Sequence, residues 1–187
     1  NEALKNFENI FQKYSNLQKI ILSSVGKLDE DVVNYIKNQF ETEIIDNKSK
    51  FPFTNLYATP ETLGIDRMVL AAGATLMYPN QNKLIIDAGT CITYDFVNAE
   101  NQYLGGAISP GIKIRYKSLN NYTSKLPLLS LSEDFDFIGN STKSAIHSGV
   151  INGVLFEIEG FISQYSLKNQ DLTIILTGGD TDFLAKR

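Results

Sequence analysis

The sequence is poor in the residues that build disulfide frameworks and metal centres. Its 187 residues include one cysteine, Cys91, one histidine, His147, and no tryptophan. A single cysteine excludes an intrachain disulfide, and we therefore expect a reducing, cytoplasmic compartment. Because no second histidine or nearby cysteine accompanies it, we interpret His147 as a polar residue on a helix surface rather than as a metal ligand.

An excess of basic charge and a long apolar run are also missing. The chain carries 17 lysines and arginines against 21 aspartates and glutamates, which gives a net charge of −4. No basic surplus exists to neutralise many phosphates, so we expect no nucleic-acid partner, although a small anionic ligand stays open. No apolar run reaches the roughly 18 residues of a membrane span, so we also expect no membrane association.

The pattern of apolar residues predicts an α/β protein in two parts. Residues 1–80 alternate as α-β-α-β-α, which favours a largely parallel sheet covered by helices. This includes a predicted helix over 59–78, and a polar stop follows it. Residues 81–187 begin as a three-strand antiparallel meander and continue with a long helix, at 142–165, and a buried strand. We therefore predict an N-terminal lobe over 1–80 and a C-terminal lobe over 81–187.

Both lobes are expected to be incomplete in this chain. The sequence starts at Asn1 directly in a helical pattern and stops at Arg187 where another helix begins. We expect material to be missing at both ends and the last helix to be truncated.

The stretch LIIDAGTCITYD, residues 84–95, combines strand and ligand-binding signals. Gly89 would let backbone N–H groups approach an anion closely, and Thr90 adds a hydroxyl donor. Asp87 could hold a cation beside phosphates. The alternative is a plain hairpin turn with a structural aspartate.

A second stretch, ETLGIDR at residues 61–67, places an acid and a base side by side near the start of a helix. Asp66 could accept a proton from an alcohol, and Arg67 could bind an anionic group. The alternative is an ion pair on the protein surface.

Three further stretches carry weaker signals. YLGGAISPGIKIRYKSL, residues 103–119, has two glycines that let another group pack on the backbone, then a helix N-terminus that favours anions. Its three cations are spaced by two, which predicts solvated side chains: Lys113, Arg115 and Lys117. LTGGD, residues 176–180, ends a buried strand in two glycines, which suits a flat ligand lying on the backbone.

The remaining stretch is GNSTKSAIHSG, residues 139–149. Asn140 or Ser141 is suited to cap the long helix. Thr142 could instead face a ligand, and the two interpretations stay open.

Taken in order, these stretches resemble type III pantothenate kinases. The quoted elements are PETLGIDR, LIIDAGTCITYD, YLGGAISPGIKI, GNSTKSAIHSG and ILTGGD, which with Tyr57 span residues 57–180. The resemblance implies the duplicated two-lobe ribonuclease H-like fold of the acetate kinase, sugar kinase, Hsp70 and actin superfamily. It also implies that the first lobe lacks its N-terminal strands in this chain. It also implies ATP-dependent phosphorylation of pantothenate to 4′-phosphopantothenate, the first step of coenzyme A synthesis. ATP with Mg²⁺ or another divalent metal, K⁺ or NH₄⁺, and a homodimer are implied as well.

The resemblance also implies roles for individual residues. Asp66 is the implied proton acceptor and Asp87 the implied ligand of the monovalent cation. The implied pantothenate contacts are Tyr57, Gly64, Ile65, Asp66, Arg67 and Thr142. The implied ATP contacts are Gly89 and Thr90 on the phosphate side and Gly178 and Gly179 on the adenosine side.

Two departures from the family pattern are visible. Ser141 stands where the family usually has asparagine, and the family's D-x-G-N-T phosphate loop is expected upstream of Asn1. Two other hypotheses stay in view: a non-catalytic nucleotide-binding relative such as the Bvg accessory factors, and a partner-switching Hsp70-like or actin-like ATPase. The second would need inserted subdomains for which this chain is too short.

Overall fold

The computed structural model describes residues 2–26, 29–133 and 135–187. By its internal contacts the chain divides into two compact units. Unit 1 comprises Asn1–Phe51 and Thr59–Val69, and unit 2 comprises Pro52–Ala58 and Leu70–Arg187. The chain is an α/β protein, as the sequence predicts, and its larger sheet is mixed rather than purely parallel.

Unit 1 follows the predicted alternation of helices and strands. Its elements are α1 (Glu2–Lys13), β1 (Lys19–Ser23), α2 (Glu30–Gln39) and β2 (Glu41–Ile45). The two strands pair in parallel. Asp29 caps α2 by accepting a hydrogen bond of 3.0 Å from the backbone N–H of Asp31, as expected of an N-cap carboxylate. The predicted parallel pairing of the strands in this part of the chain is confirmed.

The helix predicted over 59–78 begins later than the sequence suggests. Pro60–Thr62 form a 3₁₀ turn, and α3 itself spans Ile65–Met77. Leu63 between them has extended backbone angles (φ −68°, ψ 125°), which end the 3₁₀ turn before Gly64. Proline therefore opens a separate turn and not the helix. As a result, Asp66 lies in the first turn of α3.

The sheet of unit 2 has five strands in the order β3-β6-β5-β4-β7. They are β3 (Thr54–Asn55), β4 (Asn82–Ala88), β5 (Cys91–Val97), β6 (Gln102–Pro110) and β7 (Leu172–Thr177). The central β4-β5-β6 meander is antiparallel, as predicted. β7 pairs in parallel with β4, and β3 pairs in parallel with β6. The short strand β3 has only two residues and does not belong to the α-β-α-β-α alternation that the sequence predicts over 1–80.

Three helices complete unit 2: α4 (Ile112–Asn121), α5 (Thr142–Lys168) and α6 (Thr181–Leu184). The core of this unit lies where α4 and α5 meet the sheet. Ser141 caps α5, accepting from the backbone N–H of Ser144, whose hydroxyl in turn accepts from the backbone N–H of Ser141. The capping role suggested for this segment is therefore confirmed for Ser141.

Among the described residues, α5 is the one helix whose length and composition would allow it to cross a membrane. The sequence shows no uninterrupted apolar run of that length because Glu157 and Glu159 fall within the helix. One side of α5 packs into the core of unit 2 through Ile146, Val150 and Val154. Core packing explains the apolar residues on this side of the helix.

Candidate functional site

Three turns converge at one end of the sheet in unit 2. The DAGT turn (residues 87–90) joins β4 to β5. The segment after β7 reaches it through a 2.9 Å hydrogen bond from the Asp180 N–H to the Ala88 carbonyl. The segment before α4 reaches it through a 3.1 Å bond from the Gly111 N–H to the Thr90 carbonyl. We call residues 87–90, 109–111 and 177–180 the three-turn cluster.

Two glycines allow these turns to pack so closely. A Cβ atom at Gly111 would collide with the carbonyl oxygens of Gly89 and Thr90. A Cβ atom at Gly178 would collide with Asp87 Oδ1 and the Ala88 carbonyl oxygen, and its φ of +98° favours glycine as well. The close packing of the cluster therefore requires glycine at both positions.

Two other glycines leave the surface of the cluster open. Among the described residues other than the two chain neighbours, no atom lies within 4 Å of the place where a Cβ would stand at Gly89 or at Gly179. Thr90 is exposed beside Gly89, and Asp87 is half-buried. An exposed hydroxyl, accessible backbone and a carboxylate are the donors and acceptors that phosphates and hard cations prefer. Within the ranges 2–26, 29–133 and 135–187, no three His, Cys, Asp or Glu residues cluster as metal ligands.

Tyr57 lies in unit 2, just after β3. Its ring packs on Gly105, whose Cβ would stand 3.1 Å from Tyr57 Cδ2, and the ring centroid is 6.2 Å from that of Tyr103. Gly105 has a φ of +96°. The sequence suggests that the glycine pair in 103–119 lets another group lie on the backbone, and the tyrosine ring is that group.

The G-x-D-R element lies in unit 1. A Cβ atom at Gly64 would collide with Asp66 Oδ1, so the carboxylate folds back over this glycine. Asp66 is exposed, Ile65 is buried, and Arg67 is only 6% exposed. The alternative of an ion pair on the protein surface is therefore wrong for Arg67, because its side chain is buried.

Thr142 is the first residue of α5 and lies in unit 2. It lines an open cavity of about 630 Å³ between α4 and α5. The wall is mainly apolar, and it also includes Arg115. Tyr57, Thr142 and the three-turn cluster thus belong to unit 2, whereas the G-x-D-R element belongs to unit 1.

The interpretation of Arg115 as a solvated cation is wrong. Its Nη2 donates to Glu157 Oε2 at 2.5 Å and its Nε donates to the Pro110 carbonyl at 2.8 Å. Only 21% of its side chain is exposed. The two-residue spacing of the cations did not reveal this ion pair. The informative signal was that Arg115 stands three residues after Ile112 and four before Leu119, which pack in the core.

The interpretation of His147 as a polar residue on a helix surface is also wrong. It is buried at 3% exposure, and its Nδ1 lies 2.7 Å from Tyr116 Oη. Burial, together with the positive charge of Lys143, lowers the pKa of His147, so the neutral ring is favoured. The signal was its position three and four residues before Val150 and Ile151, on the buried side of α5.

Comparison with known proteins places this arrangement in a family. A sequence model of type III pantothenate kinases matches residues 1–164. The chain belongs to the type III pantothenate kinase family.

Members of this family from flavobacteria are close in sequence. A type III pantothenate kinase of Flavobacterium johnsoniae is 52% identical over 187 residues, covering all of this chain and 77% of that protein. One from Flavobacterium psychrophilum is 53% identical, covering 98% of this chain and 78% of the relative.

A solved structure from Campylobacter jejuni is also similar. That protein, assigned provisionally to the Baf family of transcriptional activators, aligns with a TM-score of 0.58 at 27% identity. The alignment covers 96% of this chain and 76% of the other. The shared fold therefore extends beyond the relatives that carry the kinase name.

Proposed function

We propose that this protein phosphorylates pantothenate with ATP to give 4′-phosphopantothenate, the first step of coenzyme A biosynthesis. The family match over residues 1–164 carries this proposal. Relatives at 52% and 53% identity bear the kinase name, whereas the transcriptional activator stands at 27%. A kinase is therefore favoured over a non-catalytic regulator.

The proposed architecture is the duplicated two-lobe ribonuclease H-like ATPase fold. Its lobes would be residues 1–80 and 81–187. The β4-β5-β6 meander, extended by the parallel strand β7 and covered by α4 and α5, supports this assignment for the second lobe. The parallel pair of β1 and β2 supports it for the first.

The three-turn cluster is the proposed ATP site. Gly89 and Thr90 would contact the phosphates, and Gly178 and Gly179 would lie on the adenosine side. Asp87 would hold K⁺ or NH₄⁺, while Mg²⁺ or another divalent metal would accompany ATP. The open backbone at Gly89 and Gly179 supports these roles. Bound cations would neutralise phosphate charge, which is most of what phosphoryl transfer requires besides alignment.

The proposed pantothenate contacts are Tyr57, Gly64, Ile65, Asp66, Arg67 and Thr142. Asp66 would accept the proton of the primary hydroxyl as it attacks the γ-phosphorus, and Arg67 would pair with the pantothenate carboxylate. The exposed carboxylate of Asp66 at the start of α3 is suited to meet a substrate hydroxyl. Its neighbours would align the alcohol for attack.

We also propose a cytoplasmic homodimer formed through α5. The side of this helix that faces away from the core exposes Phe156 and Leu167 to 56% and 80%. Together with Gly160 between them, they follow spacings of four and seven, which places them on one face. Large exposed apolar patches on soluble proteins mark contact surfaces, and a second copy is the occupant that the family resemblance implies.

The proposed reaction is tested by ADP release from the intact protein with ATP and Mg²⁺. We expect release that depends on pantothenate and rises when K⁺ or NH₄⁺ replaces Na⁺. Release that ignores pantothenate would contradict the kinase assignment. ATP binding without turnover would instead support the non-catalytic relative.

A further inference from the structure

A carboxylate on α5 collects three donors from three other elements of unit 2. Glu157 Oε1 accepts from Tyr94 Oη on β5 at 2.8 Å, and it also accepts from Ser109 Oγ near the end of β6. Glu157 Oε2 accepts from Arg115 Nη2 on α4 at 2.5 Å. Only 23% of the glutamate side chain is exposed.

This carboxylate is held in its ionised form. Burial raises the pKa of Glu157, but the hydrogen bonds from Ser109, Arg115 and Tyr94 and the charge of Arg115 lower it by more. Hydrogen bonds to an ionised acceptor are stronger than neutral ones, so the cluster resists rearrangement.

The partners of Glu157 lie immediately beside the DAGT turn. Ser109 pairs with Ile92 across β5 and β6. Arg115 uses its Nε to bind the carbonyl of Pro110, the residue that follows Ser109. Glu157 therefore holds Ser109 directly and Pro110 through Arg115.

The next residue along the chain touches the turn itself. The Gly111 N–H donates to the Thr90 carbonyl at 3.1 Å, and a Cβ at Gly111 would collide with the Gly89 carbonyl oxygen. Any displacement of residues 109–111 is thus transmitted to the backbone of Gly89 and Thr90. Close-packed backbone leaves no space to absorb it.

We propose that Glu157 is a positioning residue for nucleotide binding: it fixes residues 109–111 against the DAGT turn without contacting ATP. The inference rests on the proposed function, because it takes the DAGT turn as the phosphate site. A purely structural role would instead be to hold α5 on the sheet, which would affect both substrates alike.

Substitutions at Glu157 separate these roles. Glu157→Ala removes the acceptor and leaves Arg115 without its carboxylate, so we expect the KM for ATP to rise about tenfold. The KM for pantothenate should stay within about twofold. Glu157→Gln keeps an oxygen acceptor for Tyr94 and Ser109 and should recover most of the ATP affinity. Glu159→Ala, an exposed glutamate two residues further on the same helix, is the matched control.

Three readouts make the experiment decisive. Affinity for a non-hydrolysable ATP analogue, measured by calorimetry without pantothenate, should weaken in Glu157→Ala in parallel with the KM. Melting temperature and sedimentation report folding and assembly. If Glu157→Ala does not fold, Tyr94→Phe removes one of the same contacts from outside the three-turn cluster and is read in the same way.

The inference is overturned if the alanine variant binds the analogue as well as the wild type, or if both KM values rise equally. Failure of the proposed function looks different. The wild type would then release no pantothenate-dependent ADP, while the analogue comparison between wild type and variant still tests the role of Glu157.

Discussion

Asp66 is exposed in the first turn of α3 with its carboxylate folded over Gly64. If it is the proton acceptor, Asp66→Asn keeps the shape and removes the basic oxygen. We expect kcat to fall by roughly two orders of magnitude or more, the usual contribution of a general base, with the fold intact. Steady-state kinetics and circular dichroism measure both. Glu61→Gln, an exposed acid in the preceding 3₁₀ turn, should leave kcat unchanged. Near-normal turnover of Asp66→Asn would remove this residue from the proton-transfer role.

His147 gives stability a pH dependence. Its pKa is lowered from 6.5 by burial and by Lys143, so the folded state binds fewer protons than the unfolded chain below about pH 6.5. Stability that is fully present above the unfolded pKa is therefore lost as the pH falls towards the lower folded pKa. His147→Gln keeps a polar partner for Tyr116 and removes this titration.

The comparison is made by urea unfolding at about pH 7.5 and about pH 5.5. We expect the free energy of unfolding to fall more steeply in the wild type than in His147→Gln. The difference in slope is bounded by about 1.4 kcal/mol per pH unit for one proton. Equal slopes in the two proteins would show that the pKa of His147 does not differ between the folded and unfolded states.

At the scale of elements, the two adjacent glycines in the turn after β7 should respond differently to substitution. Gly178 is required mainly for stability, and Gly179 mainly for the proposed nucleotide contact. Gly178→Ala places a Cβ against Asp87 and forces a φ of +98° on alanine, so we expect a loss of about 1–3 kcal/mol in stability. The methyl group of Gly179→Ala meets no atom of a non-adjacent residue within 4 Å in the part of the chain that the structure describes, so this variant should fold normally, but the methyl group would obstruct the proposed adenosine side. Thermal unfolding and the KM for ATP distinguish the two. An unchanged KM in Gly179→Ala would exclude that position from the nucleotide site.

Most elements were predictable because their signals are local. The pattern of apolar residues predicted the β4-β5-β6 meander, the long helix α5 and the strands β1 and β7. The start of α3 was not predictable, because proline is equally suited to a 3₁₀ turn and the extended backbone of Leu63 is not visible in the pattern. The two-residue strand β3 carries too little pattern to be found.

The residues of the candidate site divide in the same way. Glycines in turns, such as Gly89 and Gly178, are recognisable in the sequence, and the structure gives each a specific packing environment. The contacts of Arg115 and His147 depend on which side of a helix faces the sheet, which only tertiary packing decides. Charge spacing was therefore a poor guide for Arg115, and the lack of a second histidine did not reveal the burial of His147.

At the scale of the whole molecule, two units of unequal size carry the proposed contacts. Unit 1 holds Gly64, Ile65, Asp66 and Arg67, and unit 2 holds the remaining candidate residues. The proposed nucleotide contacts all lie in unit 2. Nucleotide affinity should accordingly be separable by mutation from the G-x-D-R element.

The face of α5 that points away from the core carries the proposed dimer interface, and this assembly can be tested by mutation. Phe156 lines an open groove of about 610 Å³ together with Gly160, Gln164 and Lys168, and its ring lies 6.3 Å from that of the exposed Phe137. Phe156→Asp would place a charge in the apolar contact, at a desolvation cost that a homodimer of this helix could not offset. We expect sedimentation velocity to show a dimer for the wild type and a monomer for the variant. Val25→Asp, an equally drastic change at an exposed site in unit 1, should stay dimeric. A dimer that survives Phe156→Asp would move the interface away from α5.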